Sequence, residues 1–578
     1  MIIIGINAFH ADASAVIFVD SKLVAAVEEE RFTRVKHWAG FPARSIEFCL
    51  QEAGIGYGDV DYFAIGRNAK AKLFKKLLYL AKHPAGSINV IRDRFKNSRK
   101  VSSIEQELAI ISGLPASAFW EKIKQVEHHR SHIASAFFAS PFQSATCLSI
   151  DGSGDFSTTM TGIGNGNDFE VLDSVDFPHS LGIFYTAFTQ LLGFLNYGDE
   201  YKVMGMAPYG KPLYVEKMGK VIQCTKDGLF KLNLAYFRSG TQGVITYGDN
   251  HVPVVAMMCS ELMIKEFGTP RSKDEPLSQY HKDLAASVQS VTEKVIFHLA
   301  ESLYKKTGDT NLCLAGGVAQ NSVANGKITR NTSFKNVYIP SAGHDAGIAM
   351  GAALYVQHQL LKIQRQPANT NACWGPRFTN AAIKQLLVEK GITFVEYEDE
   401  ILFEKIVQCL TSGGVAGWFN GRAEFGPRAL GGRSILADPR RSDAKEILNN
   451  KIKRRENFRP FAPSILKEYV ADFFEQNGEV PFMEKVFTLK KEMQKIIPAV
   501  THVDGTGRLQ TVDKNISPRY YALIETFRQK TGIPILLNTS FNENEPIVNL
   551  PAEALDCYLR TNMDMLVMEN IMVSRSPL

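Results

Sequence analysis

The sequence predicts an α/β protein with at least two domains. Its 578 residues exceed what a single ordinary hydrophobic core can organise. Strand-like apolar runs end repeatedly in glycine-rich polar turns, and helical patterns follow those turns. Hydrophobic residues make up 45% of the chain and charged residues 22%, which is typical of a globular protein. Strands that lead through such turns into helices favour α/β architecture with ligands bound at the strand ends.

The predicted elements follow in chain order. A meander of three short strands opens the chain and ends at a charged cluster, residues 28–31. Later strands run into the turns DGSGD, GGVAQN and PSAGHDAGIAMGAA. The predicted strands are residues 2–7, 15–19, 22–27, 145–150, 312–315 and 337–339. A polar stretch after the last of these helices predicts a linker at 364–377, which separates a domain at 1–363 from a second α/β domain at 378–578.

Charge and cysteine usage exclude several classes of protein. The net charge of +5 comes from 65 basic and 60 acidic residues, which is too balanced to indicate a nucleic-acid binder. Eight cysteines form no CxxC pair, so the sequence predicts neither a zinc ribbon nor a disulfide framework. The start has no basic region like that of a signal peptide, and no apolar run approaches 18 residues. We expect a cytoplasmic protein.

One segment, residues 67–100, departs from this balance. It holds eleven lysines and arginines, and Asp93 is its only acidic residue. Leu73, Leu77 and Leu80 form a partial helical stripe. We favour a solvated basic helix at a domain edge. The alternative is contact with an acidic partner or a membrane surface.

Three histidines cluster in the stretch EHHRSHIASAFFAS. His128 and His132 are four residues apart, so on a helix they share a face, whereas His129 points about 100° away. The pattern is not HExxH, and such a pair alone is a weak signal. Asp151 and Asp345 each stand in a glycine-rich turn, where either could equally be a helix cap. Together, two imidazoles and two carboxylates suit Fe(II), Mn(II) or Zn(II).

The second half of the chain is rich in arginines set among glycines and phenylalanines. GRAEFGPRALGGRSILADPR contains Arg422, Arg428 and Arg433, and NNKIKRRENFRPFAPS contains Lys453, Arg455 and Arg459. Guanidinium groups bind phosphate or carboxylate through paired hydrogen bonds, and glycines let an anion approach the backbone. The pattern predicts an anion site. RNA is the other anion considered, but no RNA-binding module is recognisable.

Long stretches resemble one family, the O-carbamoyltransferases of nodulation-factor and antibiotic biosynthesis (NodU/CmcH). The resemblance covers almost the whole chain and is weakest at 67–120, 225–275 and 470–495. The stretches that carry it are AAVEEERFTRVKHWAGFP, EHHRSHIASAFFASPF, HSLGIFYTAFTQLLGF, EYKVMGMAPYG, AGGVAQN, EFGPRALGGRSILADPR, RRENFRPFAPS, HVDGTGRLQTV and LNTSFNENEPIV.

The resemblance implies an N-terminal domain of the ASKHA type (actin and sugar-kinase-like), similar to the tRNA threonylcarbamoyl-transferase. It implies a C-terminal YrdC-like domain that forms a carbamoyl-adenylate from carbamoyl phosphate and ATP. The N-terminal domain would pass the carbamoyl group to a hydroxyl of a small natural product. Implied cofactors are ATP with Mg and one divalent metal, with Fe(II) expected ahead of Mn or Zn.

The resemblance also implies a role for each matching residue. The metal ligands would be His128, His132, Asp151 and Asp345. Gly152, Gly317, Asn321, Arg508 and Asn538 would contact the nucleotide, and Arg428, Arg459 and Ser540 would hold carbamoyl phosphate. Many relatives have His directly before Asp in the first turn, but this chain reads FHADAS. His10 and Asp12 are therefore the expected catalytic residues, and Lys36 the expected acceptor contact.

Two other functions remain open on sequence grounds. One is a carbamoyl or threonylcarbamoyl transferase that modifies tRNA, and the other is an ATP-binding ASKHA regulator without catalysis. The balanced charge counts against the first, and the full set of metal and arginine positions counts against the second. We expect a small hydroxylated acceptor and no nucleic-acid or membrane partner, and we leave open whether the protein is a homodimer.

Overall fold

The computed structural model describes residues 1–82, 104–239, 245–247 and 250–575. The chain forms two compact units, Met1–Asn369 and Thr370–Leu578, called here the N-terminal and C-terminal units. The division falls inside the range 364–377, and the assignment of a separate task to each domain stays a prediction. Among the described residues, no helix combines the length and apolar character needed to cross a membrane.

The strands of the N-terminal unit confirm the predicted meander and the later strands. They are β1 Ile2–Asn7, β2 Ser14–Val19, β3 Lys22–Glu28, β4 Tyr62–Ile65, β5 Ile123–Gln125, β6 Ser144–Gly154, β7 Ser157–Asn165, β8 Asp168–Asp176, β9 Ile222–Cys224, β10 Phe230–Leu232, β11 Ile245–Tyr247, β12 Pro253–Val255, β13 Asn311–Ala315 and β14 Asn336–Tyr338.

The helices of this unit vary from single turns to the 29-residue α10. They are α1 Glu30–Thr33, α2 Ala43–Ala53, α3 Leu73–Lys82, α4 Ile104–Ser112, α5 His128–Phe137, α6 Leu181–Leu191, α7 Glu200–Met206, α8 Val215–Met218, α9 Glu261–Phe267, α10 Gln279–Thr307, α11 Ser322–Asn325, α12 Ile328–Asn331 and α13 Gly347–Leu354.

Two sheets of the N-terminal unit repeat one topology. The first has the order β3-β2-β1-β4-β5 and the second the order β8-β7-β6-β13-β14. In each, an antiparallel three-stranded meander comes first and two parallel strands extend the sheet from its first strand. This duplicated α/β arrangement is the ASKHA-type fold that the resemblance implied.

A buried helix of small residues, α13, packs between the two halves of this unit. It lies against β1 and α5, and every one of its residues is buried. A Cβ at Gly351 would stand 1.8 Å from the carbonyl oxygen of Ser131 in α5, and one at Gly5 would stand 1.8 Å from that of Ala349. Only glycine permits these approaches, and they bring the start of α13 close to α5.

The C-terminal unit is built on an eight-stranded mixed sheet with the order β15-β24-β23-β16-β17-β22-β18-β21. Its apolar faces pack against the helices of the unit. The predicted fold class, with a YrdC-like α/β domain here, agrees with this architecture. Its strands are β15 Val395–Glu396, β16 Ala416–Phe419, β17 Arg433–Ala437, β18 Ala462–Leu466, β19 Phe487–Thr488, β20 Thr506–Gly507, β21 Gln510–Val512, β22 Ile535–Ser540, β23 Met565–Met568 and β24 Ile571–Ser574. Its helices are α14 Asn380–Glu389, α15 Asp399–Thr411, α16 Ala444–Ile447, α17 Val470–Phe473, α18 Pro518–Thr531 and α19 Pro551–Arg560.

The basic segment is described only in part. Residues 67–82 are described and contain α3, whereas 83–103 lie outside the described residues, so the expectation for 83–100 cannot be compared with the structure. The weakly matching ranges 67–120 and 225–275 are likewise described only in part.

Candidate metal centre and anion site

Four side chains named from the sequence meet in the N-terminal unit. His128 Nε2 and His132 Nε2 lie 3.1 and 3.2 Å from Asp151 Oδ2. Asp345 Oδ1 lies 3.3 Å from His132 Nε2 and 3.7 Å from His128 Nε2. All four residues are buried, and one ligand atom from each falls within 4.8 Å of the others.

Helix α5 provides the two imidazoles. Glu127 caps it, because a carboxylate oxygen accepts a hydrogen bond of 2.8 Å from the backbone N–H of Arg130. His128 and His132 therefore stand one turn apart on one face. The third histidine, His129, points elsewhere, and its Nδ1 lies 2.8 Å from the Ser149 hydroxyl.

The last part of strand β6 provides Asp151, and the loop before α13 provides Asp345. Asp151 uses its second oxygen, Oδ1, to accept hydrogen bonds from the backbone N–H groups of Gly152 and Gly317, at 2.7 and 3.1 Å. The backbone carbonyl of Asp345 accepts from the Asn7 amide at 3.1 Å. Backbone N–H groups thus fix the Asp151 carboxylate, and the Asn7 amide holds the backbone at Asp345. Such hydrogen bonds orient metal ligands in proteins.

The electrostatics of the cluster favour a cation. Burial opposes ionisation of Asp345, and Asp151 adds to that, but His10 and His132 lower its pKa to about 2. Burial disfavours the charged form of His132, yet its close contacts with the carboxylates of Asp151 and Asp345 raise its pKa to about 9. Asp345 Oδ1 is buried and has no hydrogen-bond partner among the described residues. An ion coordinated there would satisfy it, so these residues fit a divalent metal.

The two expected catalytic residues lie beside this cluster, each in a separate pair. His10 Nδ1 is 2.9 Å from Asp345 Oδ2, the oxygen that faces away from the other histidines. Asp12 Oδ1 is 2.8 Å from His37 Nδ1. Burial opposes the charge on His37, but Asp12 raises the pKa of His37 to about 9. Lys36, the expected acceptor contact, is exposed and adjoins His37.

Two tyrosines feel the charges of the carboxylates Asp345 and Asp12. Burial, followed by the charges of Asp345 and Asp12, raises the pKa of Tyr197 well above its usual value. Burial raises the pKa of Tyr247 to about 12, with Arg67 opposing and Asp345 contributing. Neither tyrosine was named from the sequence, since no local motif signals a phenol contributed by a distant part of the chain.

The expected nucleotide contacts of this unit have partners within the chain. The N–H groups of Gly152 and Gly317 both bond to Asp151. The amide of Asn321 exchanges two hydrogen bonds of 2.9 Å with Gln289, and its oxygen also caps α11 through the N–H of Ala324. The structure gives these residues a positioning role, and their nucleotide contacts stay predictions.

Arginines gather in the C-terminal unit. The pKa of Arg508 lies well below its usual range, because its guanidinium is buried and because Arg428, Arg455 and Arg459 lie near it. The Nε of Arg508 is buried and has no hydrogen-bond partner among the described residues. Guanidinium groups this close repel one another, so an anion among them would relieve the repulsion.

Lys453 is a further cation of this cluster and was given no role from the sequence. It is 1% exposed. Its ammonium donates to the backbone oxygen and amide oxygen of Asn542, at 2.8 and 2.7 Å, and lies 3.3 Å from the hydroxyl of Ser540. Burial lowers its pKa well below the usual value, and Arg455 and Arg459 add to the effect. The expected carbamoyl phosphate contact Ser540 is therefore adjacent to a buried ammonium.

Three other polar residues of this unit serve the fold. Arg433 is fully buried and donates to the backbone oxygens of residues 376, 420, 421 and 432, while its guanidinium lies over the Phe419 ring. Arg422 donates to the carbonyls of residues 374 and 375. Backbone oxygens thus accept from several donors of these two side chains, and their grouping with Arg428 as anion-binding candidates stays a prediction. The expected nucleotide contact Asn538 donates to Ser464 Oγ at 3.0 Å, and its role stays a prediction.

Comparison with known proteins identifies the family. A family model described as "Carbamoyltransferase N-terminus" matches residues 2–354, and one described as "Carbamoyltransferase C-terminus" matches residues 407–575. The chain belongs to the carbamoyltransferase family. It is accordingly a transferase enzyme, and the resemblance noted in the sequence is confirmed at the level of the family.

Similar proteins span nearly the whole chain. The protein sll1178 of Synechocystis sp. is 42% identical, over 99% of this chain and 97% of that protein. Nodulation protein NolNO of Sinorhizobium fredii is 38% identical, over 98% of this chain and 80% of that protein. Nodulation protein U of Rhizobium tropici is 27% identical, over 94% of this chain and 91% of that protein.

Solved structures are less similar. HypF of T. kodakarensis aligns with a TM-score of 0.30 and 13% identity, over 62% of this chain and 48% of that chain. Similarity at this level supports no functional argument.

Proposed function

We propose that this carbamoyltransferase is ATP-dependent and transfers a carbamoyl group to a hydroxyl of a small natural product. In the proposed first step, water releases phosphate from carbamoyl phosphate and leaves carbamate, and a carbamate oxygen then attacks the α-phosphate of ATP to give a carbamoyl-adenylate with release of pyrophosphate. In the second, the acceptor hydroxyl attacks the carbamoyl carbon and AMP leaves. The observation that carries the proposal is that one chain has a buried cluster of imidazoles and carboxylates in one unit and a cluster of neighbouring arginines in the other.

The C-terminal unit is assigned the adenylation step because both of its substrates carry phosphate. Arg428, Arg459 and Arg508 would hold the phosphate groups, and Lys453 would add charge at Ser540. Negative charge builds on phosphate oxygens as the adenylate forms, and fixed cations in a water-poor site stabilise it. Asn538 would contact the nucleotide through its amide oxygen, which is buried and has no partner among the described residues.

The N-terminal unit is assigned the transfer step. His128, His132, Asp151 and Asp345 would hold one divalent ion, for which we favour Fe(II), and Gly317 and Asn321 would contact the adenylate. A bound ion supplies positive charge that polarises the carbamoyl carbonyl or orients a phosphate.

A base must take the proton from the acceptor hydroxyl in this step. His10 is our candidate, since its imidazole adjoins the cluster, and Asp345 Oδ2 orients it at 2.9 Å. Asp12 and the phenols of Tyr197 and Tyr247 would bind the other hydroxyls of the acceptor, because both phenols are near enough to Asp12 and Asp345 for these charges to raise their pKa values.

The adenylation step can be tested without knowing the acceptor. Purified protein should exchange labelled pyrophosphate into ATP only when carbamoyl phosphate is present, since only an adenylate makes that exchange reversible. Threonine and tRNA should change the exchange by less than about twofold if the enzyme does not make threonylcarbamoyl products. Absence of exchange, together with undiminished ATP binding, would favour a non-catalytic regulator. A strict need for threonine would favour tRNA modification.

A further inference from the structure

Helix α3 is attached to the N-terminal unit by its polar side. Lys72, just before the helix, and Lys75 both form ion pairs with Asp176, with Lys75 Nζ at 2.7 Å. The ring of Tyr79 packs edge-on against Phe156 and Phe177 at 5.9 and 5.8 Å. Lys72 and Lys75 therefore tie this side of the helix to the protein, although the side chain of Lys75 stays half exposed.

The opposite side of α3 is apolar and exposed. Leu73 is 51% exposed, Phe74 78%, Leu77 63% and Leu78 45%. Their spacing of one, four and five residues places them on one continuous side of the helix. Single exposed apolar residues are ordinary, but four large ones on one helix face mark an interaction surface.

The charge around this face indicates the chemistry of its partner. Residues 67–82 contain six lysines and arginines and no acidic residue. Leucine and phenylalanine on one face, with lysines at its borders, is the composition of helices that lie in the plane of a membrane interface. Lysines near anionic headgroups are attracted to them. A second copy of this chain would instead place the same lysines opposite one another, and a nucleic acid would leave the leucines uncovered.

We propose that the face formed by Leu73, Phe74, Leu77 and Leu78 docks the enzyme on an anionic lipid surface. The helix has ten residues, too few to cross a bilayer, so it would lie flat with these side chains at the level of the headgroups. The side chain of Lys75 is 53% exposed although it pairs with Asp176, so its ammonium can also reach a lipid phosphate. The proposal does not depend on the chemistry of the two clusters, and it revises our expectation that no membrane is involved.

Vesicle flotation with the full chain tests this surface. Wild-type protein should float with vesicles of phosphatidylcholine mixed with phosphatidylglycerol and not with phosphatidylcholine alone. The double variant Phe74→Ser, Leu77→Ser should bind the mixed vesicles at least about tenfold more weakly, since it removes the two most exposed side chains of the face. Because both residues are exposed, the variant should unfold at the same temperature as the wild type.

A matched control removes an exposed apolar side chain elsewhere. Val388→Ser, at a position in α14 that is 68% exposed, should bind vesicles like the wild type. Equal vesicle binding by wild type and double variant would overturn the proposal, as would binding to neither vesicle. A wild-type dimer in vesicle-free buffer that the double variant loses would assign the face to a second copy instead.

Discussion

At the residue scale, the pair of His37 and Asp12 makes a pH-dependent contribution to stability. Asp12 raises the pKa of His37 from 6.5 to about 9. A raised histidine pKa stabilises the fold fully below the unfolded pKa, and the contribution is lost as pH rises through the folded pKa. His37→Asn keeps a neutral donor near Nδ1 but removes the charge. We expect the variant to be less stable by about 1 to 2 kcal/mol at pH 6, since the partly exposed ring is screened by solvent.

That difference should shrink as pH rises from 6.5 to about 9. It should also shrink under acid conditions, because His37 holds the pKa of Asp12 below its ordinary value of 3.8. Urea unfolding of the wild type and of His37→Asn at these pH values measures the difference in their free energies of unfolding. A difference that stays constant with pH, or grows above pH 7, would show that His37 is neutral in the folded protein.

The four-residue cluster predicts that purified protein holds about one divalent ion per chain. His132→Ala or Asp345→Ala should lose it, because each removes a ligand atom from a buried set. The matched control is His129→Gln, which changes a buried neighbour on the same helix that faces Ser149 instead. Elemental analysis should find the ion in wild type and control only. Equal metal in all four proteins would contradict the site.

Residue spacing could predict part of this site and not the rest. His128 and His132 could be paired because a helix brings positions four apart onto one face. Asp151 and Asp345 could be named because each follows a strand, but only the fold shows that they meet. His37 lies 25 residues from Asp12, and no local pattern relates them. Lys453 could only be counted as one more cation until its burial beside Asn542 was visible.

At the element scale, the hairpin between β6 and β7 supports α5. A Cβ at Gly154 would lie 2.1 Å from the imidazole carbons of His128, whereas one at Gly152 would meet nothing within 4 Å. Gly154→Ala should therefore displace His128, weaken metal binding by about 10- to 100-fold and cost about 1 to 3 kcal/mol of stability. Gly152→Ala should leave metal affinity unchanged. Metal titration measures the affinity of both variants. Equal affinities would show that α5 shifts to accommodate the new methyl group while His128 keeps its position as a ligand.

The sequence could predict where strands with strong apolar patterns lie, but it could not predict how the elements pack against one another. The opening meander follows directly from short β segments separated by polar turns. The outward apolar face of α3 could not be foreseen, because its sequence alone favours burying the leucines and exposing the lysines. Lys72 and Lys75 instead pair with Asp176, which is more than 90 residues away along the chain, and the leucines are left exposed.

At the scale of the whole molecule, composition and length predicted two α/β domains because the strand-to-helix transitions recur along the chain. They could not reveal that the first sheet order repeats in the second, since the two halves share no recognisable sequence repeat. The opposite charge preferences of the two units could be predicted from local motifs but not from the net charge of +5, which averages over them.

Because the two clusters lie in different units, we expect that mutations can separate the adenylation step from the transfer step. Arg459→Ala should lower carbamoyl phosphate-dependent pyrophosphate release by about 10²- to 10³-fold, because charge developing on phosphate loses a fixed cation, while metal content stays unchanged. Arg454→Ala is the matched control, since that side chain is 61% exposed.

His128→Ala should still release pyrophosphate slowly but form no carbamoylated product, since the adenylate would escape and hydrolyse to AMP. The ratio of pyrophosphate to product measures the separation. Loss of both activities in folded His128→Ala protein would mean that the two clusters act in one step.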